Sequence, residues 1–289
     1  MSKILVYGDS FGAPSYPEQN DWPGRLGLKM NIPVINKAVS GGNTDNAMKH
    51  LINDHLYGQI QNGDIIIFVK STPGRLSFKF QRERPETASL YLHDLPSLLP
   101  NEAKDKKHDW YYENRKFIEW WQINFDYDRE CVIHEGYTHM IKNISEFYPK
   151  SPFLVYANSL YYPDVPIKTK KKSNFFELDN ISLFQLSKNE IISDVPDAEK
   201  YTDWIKYTGF DMRDNHLSQI NLEILTNLTH EVIEKRTTEN FTMDKFQQNL
   251  LKPIKTVNEY RYYVESGLLP YADWKEEVCK KISSFSIFG

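Results

Sequence analysis

Four short apolar segments recur along the first 157 residues and predict buried β-strands. They are residues 3–8, 33–39, 64–69 and 153–157. Each has the length of a strand and is bounded by turn-forming residues. A nearly continuous apolar run is typical of a strand that is covered on both faces of a sheet.

Between and after these segments, the apolar residues recur every three or four positions, which predicts amphipathic helices. The predicted helices cover residues 43–57, 131–148 and 217–235. Strands that alternate with helices indicate a parallel sheet with helices on both faces. The pattern therefore predicts an α/β protein with a three-layer α/β/α core over residues 1–236.

Two stretches interrupt this alternation and are predicted to be insertions. Residues 76–130 are charged and rich in aromatic residues, and residues 160–208 are polar. Connections of this length usually form lids or subdomains. The aromatic cluster at 110–121 is interpreted as the small core of its insertion or as a platform that stacks on carbohydrate. The run Lys168–Lys172 is interpreted as a surface loop, with binding of an acidic partner as the alternative.

The last part of the chain, residues 237–289, follows the final predicted core helix. It has helical periodicity near 242–251 and 270–283. We expect a C-terminal helical extension that packs on the core.

Composition excludes several classes of protein. A net charge of −4 disfavours a dedicated nucleic-acid-binding protein, whose binding surface is usually basic. The two cysteines form no CxxC pair, so we expect free thiols in a reducing compartment. The chain lacks a signal-peptide pattern and an apolar run long enough for a membrane helix, which predicts a cytoplasmic protein without a membrane partner. The oligomeric state stays open.

Metal binding is disfavoured by spacing. His134 and His139 resemble a zinc-binding helix motif, but they are five residues apart rather than four. Two side chains at that spacing do not share a helix face. We therefore expect neither a metal nor another cofactor.

Three polar motifs carry the candidate chemistry, and two of them directly follow predicted strands. Gly8-Asp9-Ser10 follows the first strand, and residues 36–44, with Ser40-Gly41-Gly42, follow the second. The carboxyl ends of parallel strands are where open α/β sheets bind their ligands. The third motif, residues 211–218, places His216 at the entrance of the last core helix. A serine, a histidine and an aspartate in this setting suit nucleophilic catalysis.

In their order and context, these motifs resemble the conserved blocks of the SGNH (GDSL-type) hydrolase superfamily. Gly8-Asp9-Ser10 matches block I, Asn36 through Gly41 matches block II, and His216 with the following Leu-Ser matches block V. The resemblance covers about residues 1–75 and 130–235. It implies a flavodoxin-like fold with Ser10 as nucleophile and His216 as general base. It also implies that the backbone N–H groups of Ser10 and Gly41 form the oxyanion hole.

The chain departs from the family at block III, which usually supplies an oxyanion-binding Asn after the third strand. Here residues 70–75 read Lys-Ser-Thr-Pro-Gly-Arg. Ser71 or Thr72 is expected to donate a hydroxyl instead. Arg75 is expected to bind a substrate anion or a lid, and Asp9 and Asn43 are further candidates for substrate binding.

A second departure concerns the residue that orients His216. The family aspartate lies three residues before the histidine, where this chain has Arg213. We favour Asp214, two residues before the histidine. Asp211 and a backbone carbonyl stay open as alternatives.

These residues predict hydrolysis of an acyl ester through a covalent serine intermediate. An O-acetyl group on a small molecule or carbohydrate is the expected substrate. An acyltransferase of the same fold and a non-catalytic binding or assembly protein are the alternatives. A catalytic pair requires Ser10 Oγ within about 3.5 Å of His216 Nε2.

Overall fold

In a computed structural model of the chain, the described residues form a parallel β-sheet with helices on both faces. The described residues are 2–15, 20–73, 75–79, 87–90, 123–124, 126–158, 174–192, 194, 196–208, 211–270 and 275–285. The strands are β1 (Ile4–Tyr7), β2 (Val34–Asn36), β3 (Ile65–Lys70), β4 (Leu76–Lys79), β5 (Thr87–Leu90), β6 (Phe153–Ala157) and β7 (Phe175–Ser182).

The main sheet has five strands in the order β2-β1-β3-β6-β7, and every neighbouring pair is parallel. Counted along the sheet's own strands, this is the order 2-1-3-4-5 of flavodoxin-like folds. The predicted α/β class with a parallel sheet is confirmed, and four of its strands coincide with the four apolar segments.

Helices cover both faces of the sheet. Their bounds are α1 (Trp22–Met30), α2 (Thr44–Leu56), α3 (Tyr127–Ser145), α4 (Leu183–Asn189), α5 (Asp197–Thr208), α6 (Gln219–Lys235), α7 (Val257–Glu265) and α8 (Lys275–Phe285). Side chains of α1 and α6 pack on one face of the sheet, and side chains of α2 and α3 pack on the other.

Strand β3 shows why its sequence is apolar without interruption. Ile65, Ile67 and Val69 belong to the core under α1 and α6, whereas Ile66 and Phe68 belong to the core under α2 and α3. Successive side chains of a strand point to opposite faces, so a strand covered on both faces must be apolar at every position.

The predicted insertion at 160–208 has to be corrected, because β7 is a strand of the main sheet and lies within it. Helices α4 and α5 follow β7 in the same stretch. The predicted Lys168–Lys172 loop lies outside the described residues.

The insertion at 76–130 is described only in part. Its beginning forms an antiparallel pair between β4 and β5, with Leu76 opposite Leu90. The aromatic cluster at 110–121 lies outside the described residues.

The C-terminal extension shares a third apolar core with the segment that precedes His216. This core combines Trp204 of α5 and Met212 with Tyr260 of α7 and Val278 of α8, and all four are buried. The helix predicted at 242–251 is wrong, since the structure has only a 3₁₀ turn there, at Met243–Lys245.

Two smaller expectations concern the cysteines and the paired histidines. Cys131 and Cys279 are both free thiols. His134 is buried, whereas the side chain of His139 is 70% exposed, so the two imidazoles do not share a face of α3. Within the described ranges, no helix combines the length and apolarity needed to cross a membrane.

Candidate active site

Ser10 lies in a tight turn at the carboxyl end of β1. The Asp9 side chain accepts a hydrogen bond from Phe11 N at 3.0 Å, and the Asp9 carbonyl accepts one from Gly12 N at 3.0 Å. Gly8 enters the turn at φ +146°, and a Cβ there would lie 2.6 Å from the Val69 carbonyl oxygen. The turn leaves Ser10 half-buried at the sheet edge.

Asp9 supports this turn from below and is not available to substrate, which corrects its predicted role. Its side chain is fully buried and accepts a hydrogen bond from Asn158 Nδ2 at 2.6 Å, with Arg75 Nη1 at 3.6 Å. Burial raises the pKa of Asp9, and the charge of Arg75 and the Asn158 hydrogen bond oppose that rise. Asn158 was not predicted, although it directly follows the apolar strand β6.

Gly41 lies in the loop after β2, and this loop packs against the start of the Ser10 turn. Val39 N donates to the Gly8 carbonyl at 3.0 Å. Gly41 has φ +73°, with open space where a Cβ would lie. Neither the Ser10 N–H nor the Gly41 N–H donates to another described residue. Unpaired N–H groups are the kind of donor that an oxyanion hole uses, so the predicted role of these two groups stays open to them.

Ser71 does not serve as the predicted hydroxyl donor, because its side chain is already engaged with α2. Ser71 Oγ accepts from Thr44 N at 3.0 Å and lies 3.0 Å from Thr44 Oγ1, and Ser71 is fully buried. Thr72 is half-buried, and its hydroxyl makes no hydrogen bond within the described part of the chain. Of the two predicted hydroxyls, Thr72 is therefore the one left for a ligand.

Asn43 and Arg75 stabilise the loop around Gly41, and their predicted contact with substrate stays a prediction. Asn43 Oδ1 caps helix α2 by accepting from Asn46 N at 3.0 Å, and Asn43 Nδ2 donates to the Arg75 carbonyl at 3.3 Å. Arg75 Nη1 donates to the Gly42 carbonyl at 2.8 Å, and its side chain is only 7% exposed. Both side chains thus make hydrogen bonds within the protein.

His216 follows an unusual turn that connects it to Ser10. Asn215 and His216 both have positive φ, of 45° and 61°, which is uncommon for residues other than glycine. Asn215 Nδ2 donates to the carbonyls of Ser10 at 3.0 Å and Ala13 at 2.7 Å. The imidazole of His216 lies against the Phe11 ring, with a centroid distance of 4.9 Å. Residues 205 positions apart are thus brought together.

Asp211, rather than the favoured Asp214, holds the imidazole. Asp211 Oδ2 lies 3.2 Å from His216 Nδ1. Asp214 instead accepts hydrogen bonds from Asn20 Nδ2 and from Gln219 Nε2, the latter at 3.2 Å. The structure therefore brings His216 together with Asp211, the alternative left open from the sequence, and not with Asp214.

Arg213 occupies the position of the family aspartate and pairs with Asp211. Its Nε and Nη2 donate to the two carboxylate oxygens at 2.9 Å each. Burial alone would raise the pKa of Asp211, but the charge of Arg213 and the hydrogen bonds from His216 and Arg213 hold it well below its usual range. Asp211 therefore stays ionised beside the imidazole.

The remaining feature of the site is the approach of Ser10 to His216. No hydrogen bond between Ser10 Oγ and His216 Nε2 is present among the described residues, so the expected distance stays a prediction. Catalytic hydrogen bonds are often long before substrate binds. With Nδ1 held by Asp211, Nε2 is the ring nitrogen left for proton transfer.

Asp214 has a consequence for stability, because burial raises its pKa to about 6. A group whose pKa is higher in the folded than in the unfolded protein contributes stability at pH values below its unfolded pKa. That contribution is lost as the pH rises through the folded pKa. Between pH 4 and 7, we expect the free energy of unfolding to fall by about 2 kcal/mol more in the wild type than in Asp214→Asn. Urea denaturation across this range measures the difference, and parallel curves would contradict it.

The chain was compared with family models, with curated proteins and with solved structures. No family model matches the chain, and no curated protein matches it. Among solved structures, it is similar to a protein assigned to the lipolytic G-D-S-L family from Desulfitobacterium hafniense DCB-2. The identity is 17%, the match covers 70% of this chain and 94% of the other, and the TM-score is 0.29.

The strand order identifies the fold. The chain has the flavodoxin-like fold that the SGNH resemblance implies. Its sheet also carries the block I and block II motifs at the carboxyl ends of β1 and β2. The SGNH resemblance thus extends from three short motifs to the architecture that holds them.

Proposed function

We propose that this protein is an SGNH-type serine hydrolase that cleaves an acyl ester. The observation that carries the proposal is the Asp211–His216 pair, which Asn215 ties to the Ser10 carbonyl. The unpaired N–H groups of Ser10 and Gly41 support it, because an anion that forms at Ser10 needs such donors.

In the proposed reaction, Ser10 Oγ attacks the ester carbonyl carbon while His216 Nε2 accepts the hydroxyl proton. The C=O π pair moves onto the carbonyl oxygen, which the N–H groups of Ser10 and Gly41 and the Thr72 hydroxyl would bind. The tetrahedral intermediate collapses, His216 protonates the departing alkoxide, and an acyl-serine remains. His216 then accepts a proton from water, which attacks the acyl-serine. Collapse of this second tetrahedral intermediate breaks the bond to Ser10 Oγ, His216 returns the proton to Oγ, and the acid is released.

Asp211 would serve this cycle in two ways. Its hydrogen bond to Nδ1 keeps the imidazole in the tautomer that has Nε2 free to accept a proton. Its negative charge then stabilises the imidazolium that forms when Ser10 attacks. We further propose a short acyl group, such as O-acetyl on a small molecule or carbohydrate, as the substrate class.

Labelling with a fluorophosphonate tests the proposal, because this reagent reacts with activated serines. We expect the folded wild type to gain one phosphonyl group by intact mass, and Ser10→Ala to gain none. Ser40→Ala is the matched control, since Ser40 is an exposed serine in the neighbouring loop, and it should label like the wild type. A folded wild type that does not label would favour the non-catalytic alternative.

A second assay separates hydrolysis from acyl transfer. Release of p-nitrophenol from p-nitrophenyl acetate reports acylation of Ser10. The proposed hydrolase should turn over in water alone. A rate that rises only when an alcohol acceptor is added, with formation of its acetate, would assign the transferase reaction instead.

A further inference from the structure

A buried ionic cluster lies behind Asp211 and is centred on the Arg213 guanidinium. All five N–H donors of Arg213 are used, because Nη1 donates to the Ser187 carbonyl and to Glu190 Oε2, and Nη2 donates also to Ser187 Oγ. Nε and the other Nη2 hydrogen bind Asp211, as described above. The Arg213 and Glu190 side chains are both 0% exposed.

The position of Arg213 creates an electrostatic problem for the proposed mechanism. The oxygen of Asp211 that contacts His216 also accepts a hydrogen bond from Arg213 Nη2, at 2.9 Å. A carboxylate neutralised by a guanidinium at this distance offers little net attraction to an imidazolium. Arg213 alone would therefore weaken the stabilisation that Asp211 has to provide.

Glu190 supplies a second negative charge to the cluster. Its Oε2 accepts from Arg213 Nη1 at 2.8 Å, and its Oε1 accepts from Ser218 Oγ at 2.9 Å and Asn221 Nδ2 at 2.6 Å. Burial raises the pKa of Glu190, but Arg213 and the donors of Ser218 and Asn221 oppose that rise. Although burial leaves the pKa of Glu190 raised, every described contact of its two carboxyl oxygens is with a donor, one of them the charged Arg213, and this geometry favours the ionised form. With Glu190 ionised, the cluster of two carboxylates and one guanidinium has a net charge of −1.

We propose that Glu190 is a positioning residue of the active site, which acts on His216 through Arg213 and Asp211. It restores the negative charge that Arg213 cancels, so that the protonated imidazole is stabilised during acylation. It also holds the start of α6, because Ser218 N donates to Glu190 Oε1 and Oε2 at 2.9 Å each. The inference rests on the proposed function, since it assigns a role within the same site.

The other charged and titratable groups around His216 do not supply this charge. Asp9, below the Ser10 turn, is paired with Arg75. The Tyr201 hydroxyl of α5 is a neutral donor, 3.3 Å from Asp211 Oδ2. Asp214 directs its carboxyl to Asn20 and Gln219.

The test compares Glu190→Gln with the double variant Arg213→Met/Glu190→Gln. The probe is a fluorophosphonate, and the rate constant for labelling Ser10 is measured against pH. Glu190→Gln leaves a neutral Asp211–Arg213 pair. We therefore expect its plateau rate to fall roughly tenfold or more, and the acid limb of its profile to move to lower pH. The double variant keeps only the Asp211 charge. Its acid limb should therefore lie at the wild-type pH again, and most of the wild-type labelling rate should be recovered.

Asp54→Asn is the matched control for loss of a buried charge. Asp54 accepts from Tyr7 OH and Lys37 Nζ, each at 2.7 Å, in the core on the other face of the sheet. We expect it to lower the thermal midpoint without moving the acid limb. A merely structural role of Glu190 predicts the same behaviour for Glu190→Gln.

The outcomes separate this inference from the proposed function. An unlabelled wild type would contradict the proposed function. A labelled wild type together with a folded Glu190→Gln of unchanged profile would overturn the inference alone, as would a double variant that does not recover. If Glu190→Gln does not fold, the double variant decides, and a profile displaced from the wild type overturns the inference. If neither variant folds, the cluster is needed for the fold itself, and the assignment of Glu190 as a positioning residue is withdrawn.

Discussion

Replacing Asp211 with Asn is expected to slow the labelling of Ser10 by roughly 10³–10⁴-fold, as loss of the orienting carboxylate does in serine hydrolases with this arrangement. Arg213 needs an acceptor at each oxygen of residue 211, and His216 Nδ1 needs one as well. An amide has one oxygen, so its NH₂ group would face a donor. Arg213 N and Nε both donate to the Oδ1 position, so we expect the amide oxygen there and the NH₂ group beside His216 Nδ1. In that orientation the tautomer of His216 that accepts the serine proton is no longer favoured.

Asp214→Asn is the matched control, because it changes the same kind of group two residues before the histidine. Asp214 contacts Asn20 and Gln219 rather than the imidazole, so its labelling rate should stay close to that of the wild type. Circular dichroism establishes that both variants are folded. A larger loss in Asp214→Asn than in Asp211→Asn would restore the assignment favoured from the sequence. A folded Asp211→Asn of unchanged rate would point to a backbone carbonyl as the orienting group.

The second large effect is expected on stability, from Gly8→Ala. The added methyl group would lie 2.6 Å from the Val69 carbonyl oxygen and 2.7 Å from Val69 Cβ, at a residue with φ +146°. The obstruction includes the backbone of a central strand, so a side-chain rotation cannot relieve it. Steric overlap and backbone strain together should lower the free energy of unfolding by about 3 kcal/mol or more.

Gly58→Ala separates the two causes. Gly58 has φ +67°, but a Cβ there would meet nothing within 4 Å. An alanine at position 58 would therefore have the strain of a positive φ without the steric overlap. We expect Gly58→Ala to lower the free energy of unfolding by only about 1–2 kcal/mol. Urea denaturation measures both variants. Equal losses at the two positions would show that the close approach of Val69 is unimportant.

The apolar pattern predicted the central strands because their burial on both faces leaves a local trace in the sequence. Strand β7 was missed because it lies at the edge of the sheet, where polar residues such as Glu177 and Asn180 interrupt its apolar positions. Helix α1 was missed for a different reason. Its nine residues include a proline and two glycines, which resemble a loop, whereas the Asp21 cap and the buried Trp22 and Leu26 stabilise it.

At residues 242–251, the apolar pattern predicted a helix that the structure does not have. The apolar residues of this segment have helical spacing, but Phe246 packs in the core beneath α1 and α6, and Leu251 packs in the core of the C-terminal extension. A chain that connects two separate cores has to extend between them. The helical spacing of the apolar residues therefore reflects burial in two separate cores rather than on one face of a helix.

For the candidate site, the sequence by itself determined Ser10, Gly41 and His216 as the residues to consider, because each belongs to a local motif at the end or the start of a regular element. Only the tertiary structure decided how their neighbours are used. Ser71 contacts Thr44 through its hydroxyl, and Asp214 accepts hydrogen bonds from Asn20 and Gln219. Arg75 pairs with Asp9 and donates to the Gly42 carbonyl. Those partners are distant in sequence in most cases. A loop side chain points wherever its hydrogen bonds are satisfied, and it is packing between separate segments that sets those bonds.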